Sequence, residues 1–209
     1  MTFMRILQVP AIGLVLFAAA YGFGMLGDSD PQGEVEELAG LLGVGQYSVV
    51  AEIGAGDGQL TGLMSEIAGS VYATEMPGRL EDLKRSASSG GNVTVMKADV
   101  ETVGLPEACC DAIYMRRVYH HFTRPDTMTA SLFASVKPGG RVAVIDFEPR
   151  WWRVWIGLPD GVPANRGGHG MPVDILIDEM TAAGFEVGSQ DLAWWSFPEN
   201  RFCVVFRRP

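Results

Sequence analysis

A chain of 209 residues with 47% hydrophobic and 20% charged side chains has the size of one folded domain with a short appendage. Its net charge of −9 comes without a basic stripe, which argues against nucleic acid as a partner, because polyanion binding needs clustered cations. Cys109 and Cys110 are adjacent and hard to bridge, Cys203 lies far off, and no C-x-x-C or His/Cys cluster is present. Neither a disulfide framework nor a metal site is therefore expected.

The chain opens with an almost uncharged apolar run, Ile6 to Leu26, preceded by Arg5 and followed by Asp28, Asp30, Glu34, Glu36 and Glu37. At ~1.5 Å per residue this run is just long enough to span a bilayer core. It reads equally as a cleaved signal peptide, with Ile12 to Phe17 as the apolar region and Ala18 to Ala20 before the cut. Residues 1–27 are thus an anchor or signal segment, and residues 28–209 the folded domain. The positive-inside rule keeps Arg5 in the cytoplasm and favours an extracytoplasmic domain, with a cytoplasmic-facing domain as the alternative.

Gly33 to Leu42 carries an amphipathic pattern and an acidic first turn, which predicts a short helix at the edge of the ligand site. Val49 to Leu60, V-V-A-E-I-G-A-G-D-G-Q-L, reads as a strand, a tight glycine loop and a helix start. A helix from Gln59 to about Ala68 is followed by a strand, Val71 to Met76, with Glu75 near its tip. Glu75 lies roughly 20 residues past the first glycine, the spacing of a ribose-binding carboxylate. The pattern is G-x-G-x-G with Asp57 inside the loop, and a carboxylate there repels a diphosphate. It suits a nucleoside ligand with a cationic ammonium group, to which Glu52 adds a second negative charge.

A helix near Gly78 to Ala87 leads to a strand, Val93 to Ala98, which ends at Asp99. Asp111 to Met115 reads as the next strand, followed by Arg116, Arg117, Val118, Tyr119, His120, His121 and Phe122. Pro125 to Val136 forms a helix, and Lys137-Pro138-Gly139-Gly140 turns into a strand ending at Asp146. Strands alternating with helices in this way make a parallel sheet covered on both faces.

These motifs resemble, in register, those of the class I S-adenosylmethionine-dependent methyltransferases: acidic-x-G-x-G-x-G at Glu52, Gly54, Gly56 and Gly58, a carboxylate at Asp99, an L-H-H-like turn at Tyr119-His120-His121, and the K-P-G-G turn. The resemblance covers about Val49 to Glu148. It implies a doubly wound, mostly parallel α/β sheet of seven strands with a C-terminal antiparallel hairpin, a Rossmann-like fold. It implies S-adenosylmethionine as cofactor, held by Glu52, Gly54, Ala55, Gly56, Asp57, Gly58, Glu75, Met76, Asp99, Val100 and Arg116. The small-molecule members imply methyl transfer to a small acceptor, and the apolar run Ile6 to Leu26 with the tryptophans favours a hydrophobic or membrane-associated one. A membrane protein that binds the nucleoside without turnover, a sensor or assembly factor, is the alternative.

Methyl transfer needs alignment of a nucleophile with an already activated methyl group and, where the acceptor is protonated, a route for the proton. His120, His121 and Arg117 lie at the carboxyl end of the fourth strand, where open α/β sheets bind ligands. One histidine is expected to pack or cap the next helix, and either makes a structural hydrogen bond to backbone or serves as general base; Arg117 binds an anionic acceptor group or faces outward. His169, in the loop Gly167 to Pro172, is a substrate-side candidate. The segment Arg150 to Pro159, with Trp151, Trp152 and Trp155, reads as a substrate lid or lipid-facing surface, extended by Trp194 and Trp195, or else as core over the sheet edge. Val173 to Ala183 is a further helix closed by Gly184, and Phe185 to Gly188 with Phe202 to Phe206 make the closing strands.

Overall fold

The computed structural model describes residues 30–87, 91–149, 160–195 and 200–209. The elements in chain order are α1 (Pro31–Leu42), β1 (Val49–Ile53), α2 (Gln59–Ser65), β2 (Ser70–Glu75), α3 (Leu80–Ala87), β3 (Val93–Lys97), β4 (Cys110–Arg116), a 3₁₀ turn (Tyr119–His121), α4 (Pro125–Ser135), β5 (Val136–Phe147), a second 3₁₀ turn (Ala164–Arg166), α5 (Val173–Ala182), β6 (Glu186–Asp191) and β7 (Arg201–Arg207). The strands form one seven-stranded sheet in the order β3-β2-β1-β4-β5-β7-β6. β1 to β5 are mutually parallel, and β7 inserts antiparallel between β5 and β6. This is the doubly wound sheet with its closing hairpin that the sequence predicts.

Alternation along the strands builds two cores. Ala51 and Ile53 of β1, Ile113 and Met115 of β4 and Val142 and Val144 of β5 face α4 and α5, burying Leu132, Leu176 and Met180. Val50, Ala112, Tyr114, Ala143 and Ile145 face the other way, against Val35, Leu38, Leu60 and Met64 of α1 and α2. Central strand segments buried on both faces have no polar side, which is why Ala112 to Met115 of β4 and Val142 to Ile145 of β5 read as apolar runs. The switch in strand order falls between β1 and β4, so the loops after these two strands diverge and leave a crevice at their carboxyl ends.

Several boundaries and one pairing differ from the sequence reading. α1 begins at Pro31, whose fixed φ and missing N–H suit a first helical turn. α2 ends at Ser65, and β6 extends to Asp191 because β7 supplies a partner along its length. The K-P-G-G segment is drawn into β5, with Gly139 N–H donating to the Arg208 carbonyl at 2.8 Å. Cys109 and Cys110 form a vicinal disulfide, with Cα atoms 3.8 Å apart, just after Ala108 takes a left-handed turn with φ 46°. Trp194 is core: it is fully buried and donates from Nε1 to Glu34 at 3.1 Å, and Trp195 donates to Glu37. The pair belongs to the packing of α1 and not to a lipid-facing surface. Trp151, Trp152 and Trp155, with the rest of the proposed lid, lie outside the described residues, as does the apolar segment Ile6 to Leu26. Among the described residues no helix is long and apolar enough to cross a membrane.

Candidate active site

The crevice holds a cavity of about 540 Å³. Its floor is the glycine loop after β1. Gly54, Gly56 and Gly58 take φ of 68°, 61° and 79°, left-handed values that other residues resist. At Gly54 a Cβ would come within 2.6 Å of the Val118 side chain, so this position also sets how closely the loop after β4 approaches. Gly58 does not line this cavity; it stands at the N-cap of α2, where a Cβ would meet the Leu83 side chain of α3 at 3.1 Å.

One end of the cavity is lined by carboxylates and apolar rims. Glu75, at the tip of β2, accepts from Gly56 N–H at 2.9 Å with one oxygen and from Met76 N–H at 2.7 Å with the other. Both oxygens are thereby fixed and keep further lone pairs for ligand hydroxyls. Asp99, past β3, accepts from Glu101 and Thr102 N–H at 2.8 and 3.0 Å, both on Oδ1. Each carboxylate is followed by an exposed apolar side chain: Met76 is 41% and Val100 51% exposed, and both line the cavity. Exposed apolar groups flanking two acidic tips make a slot suited to a flat ring with hydroxyl and amino groups.

Glu52 and Asp57 behave differently although both line the cavity. Asp57 is exposed and accepts from Gln59 N–H at 3.1 Å, which holds the loop at the entry to α2. Glu52 is buried beneath, accepting from Thr61 Oγ1 and, at 3.0 Å, from the Tyr114 hydroxyl. Burial raises its pKa to about 7, against the pull of those two donors and of Arg116. Burial thus favours the neutral carboxyl of Glu52, and a cation facing it favours the ionised form.

Arg116 lines the cavity, yet its guanidinium is tied to Glu34 at 2.7 Å. Glu34, fully buried in the first turn of α1, also receives Trp194 and, at 3.4 Å, Arg201 of β7. An acidic first turn predicts dipole compensation; here it is the anion that fastens α1 to two strands.

The other end of the cavity is lined by Arg117, Val118, His121 and Phe122. Arg117 has φ 60° and donates its N–H to Ile145 at 2.7 Å, which turns its side chain across the Phe147 ring, 5.9 Å from the centroid. The two adjacent histidines diverge. His120 is buried, with Nδ1 2.8 Å from Asp146 Oδ1 and its backbone N–H on Oδ2 at 3.1 Å. His121 lines the cavity, and its pKa is lowered to about 4, first by partial loss of solvent and then by His120 and His169. His169 joins them, its ring centroid 4.9 Å from that of His120 and 5.9 Å from that of His121.

The loop that carries His169 is clamped from two sides. Met171 N–H donates to the Phe147 carbonyl at 2.9 Å, and a Cβ on Gly170, φ 145°, would fall within 2.8 Å of that carbonyl. Arg166, fully buried, reaches Glu179 of α5 at 2.7 and 3.0 Å, and the Tyr119 hydroxyl donates to the same carboxylate at 2.9 Å. One carboxylate therefore holds both the turn bearing His120 and His121 and the loop bearing His169. Asp146, Glu179, Thr61 and Tyr114 were not singled out from sequence; the signal available was a charged residue within or beside an apolar run, as at Asp146 after Val142 to Ile145.

Residues 51–144 match a family described as a methyltransferase domain. A malonyl-[acyl-carrier protein] O-methyltransferase of Marinomonas sp. is 25% identical over 177 residues, 79% of this chain and 64% of that protein. A ubiquinone/menaquinone biosynthesis C-methyltransferase of Vibrio cholerae is 29% identical over 106 residues, 47% of this chain and 41% of that protein. The chain thus spans less than two thirds of the length of either relative. Among solved structures, a SAM-dependent methyltransferase from Aquifex aeolicus superposes with a TM-score of 0.67 at 20% identity, over 90% of this chain and 98% of the other. The matched segment contains the glycine loop, Glu75, Asp99 and the turn with both adjacent histidines.

Proposed function

Taking as premise a methyltransferase domain that uses S-adenosylmethionine, we propose that the protein transfers the sulfonium methyl group to a small, hydrophobic acceptor bound at the histidine end of the cavity. The observation that carries this reading is the continuity of the cavity. It runs from Glu75 and Asp99, past the glycine loop, to Arg117, His121 and Phe122. Glu75 takes the ribose hydroxyls, Asp99 the adenine amino group between Met76 and Val100, and the anionic pair Asp57 and Glu52 the ammonium. The acceptor atom attacks the methyl carbon, the carbon–sulfur bond breaks, and sulfur keeps the electron pair as a neutral thioether. The protein's contribution is alignment and exclusion of water.

Phe122 and Met128 give the acceptor end apolar walls, and Arg117 offers one cation for an anionic substituent. Quinones, phenols, thiols and lipids fit this description. The apolar segment Ile6 to Leu26 favours an acceptor that partitions into membranes, with the domain on the extracytoplasmic side by its charge flanks. A nucleoside-binding protein without turnover needs no second compartment, so the continued cavity speaks for catalysis. The test is S-adenosylhomocysteine formation by the full chain in detergent across a panel of those four classes, with calorimetric binding of S-adenosylhomocysteine alongside. Binding with turnover on one class is expected; absence of binding overturns the reading, and binding without turnover on any class supports the sensor.

A further inference from the structure

We propose that His120, His121 and His169 form a three-histidine site for a divalent late transition metal such as zinc, with an open coordination position facing the acceptor end of the cavity. Each residue offers one ring nitrogen, and the three atoms lie within 4.8 Å of one another. Zinc–nitrogen bonds of about 2.0–2.1 Å at tetrahedral angles place the nitrogens roughly 3.3 Å apart. Closure therefore asks for a contraction of at most about 1.5 Å at any pair.

His120 carries the second, independent sign. Its Nδ1 faces Asp146 at 2.8 and 3.0 Å, which places the ring proton on Nδ1 and the lone pair on Nε2. Nε2 is buried and has no hydrogen-bond partner among the described residues. A buried, unsatisfied ring nitrogen beside two more imidazoles is costly as hydrogen bonding goes and well made as ligation goes. Carboxylate–histidine–metal is the arrangement by which proteins orient a ligating imidazole and raise its basicity. Glu179, which holds Tyr119 and Arg166, fixes from outside the two segments that supply the three rings.

An all-imidazole set suits zinc, copper, nickel or ferrous iron, and three protein ligands with one open position mark a reactive site more than a closed structural one. His121 lines the cavity, so the open position faces the acceptor. This use rests on the methyl-transfer reading above: an acceptor O–H or S–H ligates the ion, releases its proton to solvent, and attacks the sulfonium methyl with the remaining lone pair.

The test uses the full chain in detergent, stripped with a chelator and titrated with Co²⁺, followed by visible absorption, and with Zn²⁺, followed by calorimetry. One equivalent bound at micromolar affinity or tighter, with the strong visible bands of four-coordinate cobalt, is expected. His169→Ala and His121→Gln should each weaken binding at least tenfold while S-adenosylhomocysteine affinity, measured on the same samples, stays within twofold. Two histidine variants are used so that misfolding of one, seen as loss of S-adenosylhomocysteine binding, leaves the other to decide. Equal cobalt binding by the wild-type chain and the folded variants, or none by the wild type, overturns the site. Metal binding without S-adenosylhomocysteine binding keeps the site and removes the methyl-transfer reading instead.

Discussion

The two ends of the cavity are made in different ways. At the nucleoside end each determinant sits at the tip of its own strand, the glycine loop after β1, Glu75 at β2 and Asp99 after β3, and the Gly56 N–H to Glu75 bond ties the first two together. At the histidine end nothing is self-supporting: His120 depends on Asp146 of β5, and His169 on Arg166 and Glu179 across to α5. A ligand shared by a wide class of enzymes can be met by local backbone geometry, whereas a site specific to one acceptor is assembled by tertiary contacts that vary with the loops.

The largest break in this comparison falls on the frame that serves both ends. Glu34→Ala leaves Arg201, 4% exposed, without its buried counter-charge, and removes the partner of Arg116. A loss of about 3–5 kcal/mol in urea denaturation is expected; a change below 1 kcal/mol would show that α1 is held by its apolar face alone.

Next comes pH. Glu52 titrates near 7 in the folded, ligand-free protein against an ordinary 4.5. Between these values the folded state keeps a proton that the unfolded chain has released, so this group's contribution to stability is full below pH 4.5 and is lost as pH rises to 7, by at most about 3 kcal/mol. Glu52→Gln should remove that slope. A cationic ligand favours the ionised carboxylate, so S-adenosylmethionine affinity of the wild type should rise as pH passes upward through 7, and the variant should show a flat profile over the same interval. A wild-type profile as flat as the variant's would take Glu52 out of cofactor binding.

Glu75→Ala sharpens the contrast between the ends. Loss of two charge-assisted bonds to ribose should weaken S-adenosylhomocysteine binding by roughly 1.5–3 kcal/mol, about ten- to a hundredfold. Glu75 also anchors Gly56, so thermal unfolding must be followed in parallel. An unchanged affinity would remove Glu75 from the site. The smallest effect is expected from Val100→Ala, which trims one wall of the ring slot and should weaken binding by less than about 1 kcal/mol; a larger loss would mean that this wall also shapes the loop after β3.

Legibility in the sequence follows the same division. The sheet could be read because its strands are apolar runs closed by glycine or acidic residues, and the nucleoside end because its carboxylates sit at those closures. Gly58 shares the motif yet serves α2, since spacing alone does not say which glycine faces the ligand. Glu34 looks like any acidic first-turn residue until Arg116 and Arg201 arrive from β4 and β7. The adjacency of His120 and His121 was visible, but the third ring comes from a loop beyond β5, and no spacing rule connects them. Cys109 and Cys110 bridge where neighbours were expected not to, at a turn set by the backbone of Ala108.

The place of β7 in the sheet has a consequence for how the chain is made. The last of the described strands is an interior strand in space, wedged between β5 and β6. Until translation has passed Arg207, β5 presents an unpaired edge that carries Val142, Val144 and Phe147, and β6, at the end of the sheet, has no strand partner among the described residues. Such an edge invites pairing with another nascent chain. Arg201 belongs to the same late strand, so Glu34, made among the first described residues, waits for part of its counter-charge until the strand docks. A chain stopped before Arg201 should therefore accumulate as aggregate or chaperone-bound material, with synthesis order and not final stability setting the yield.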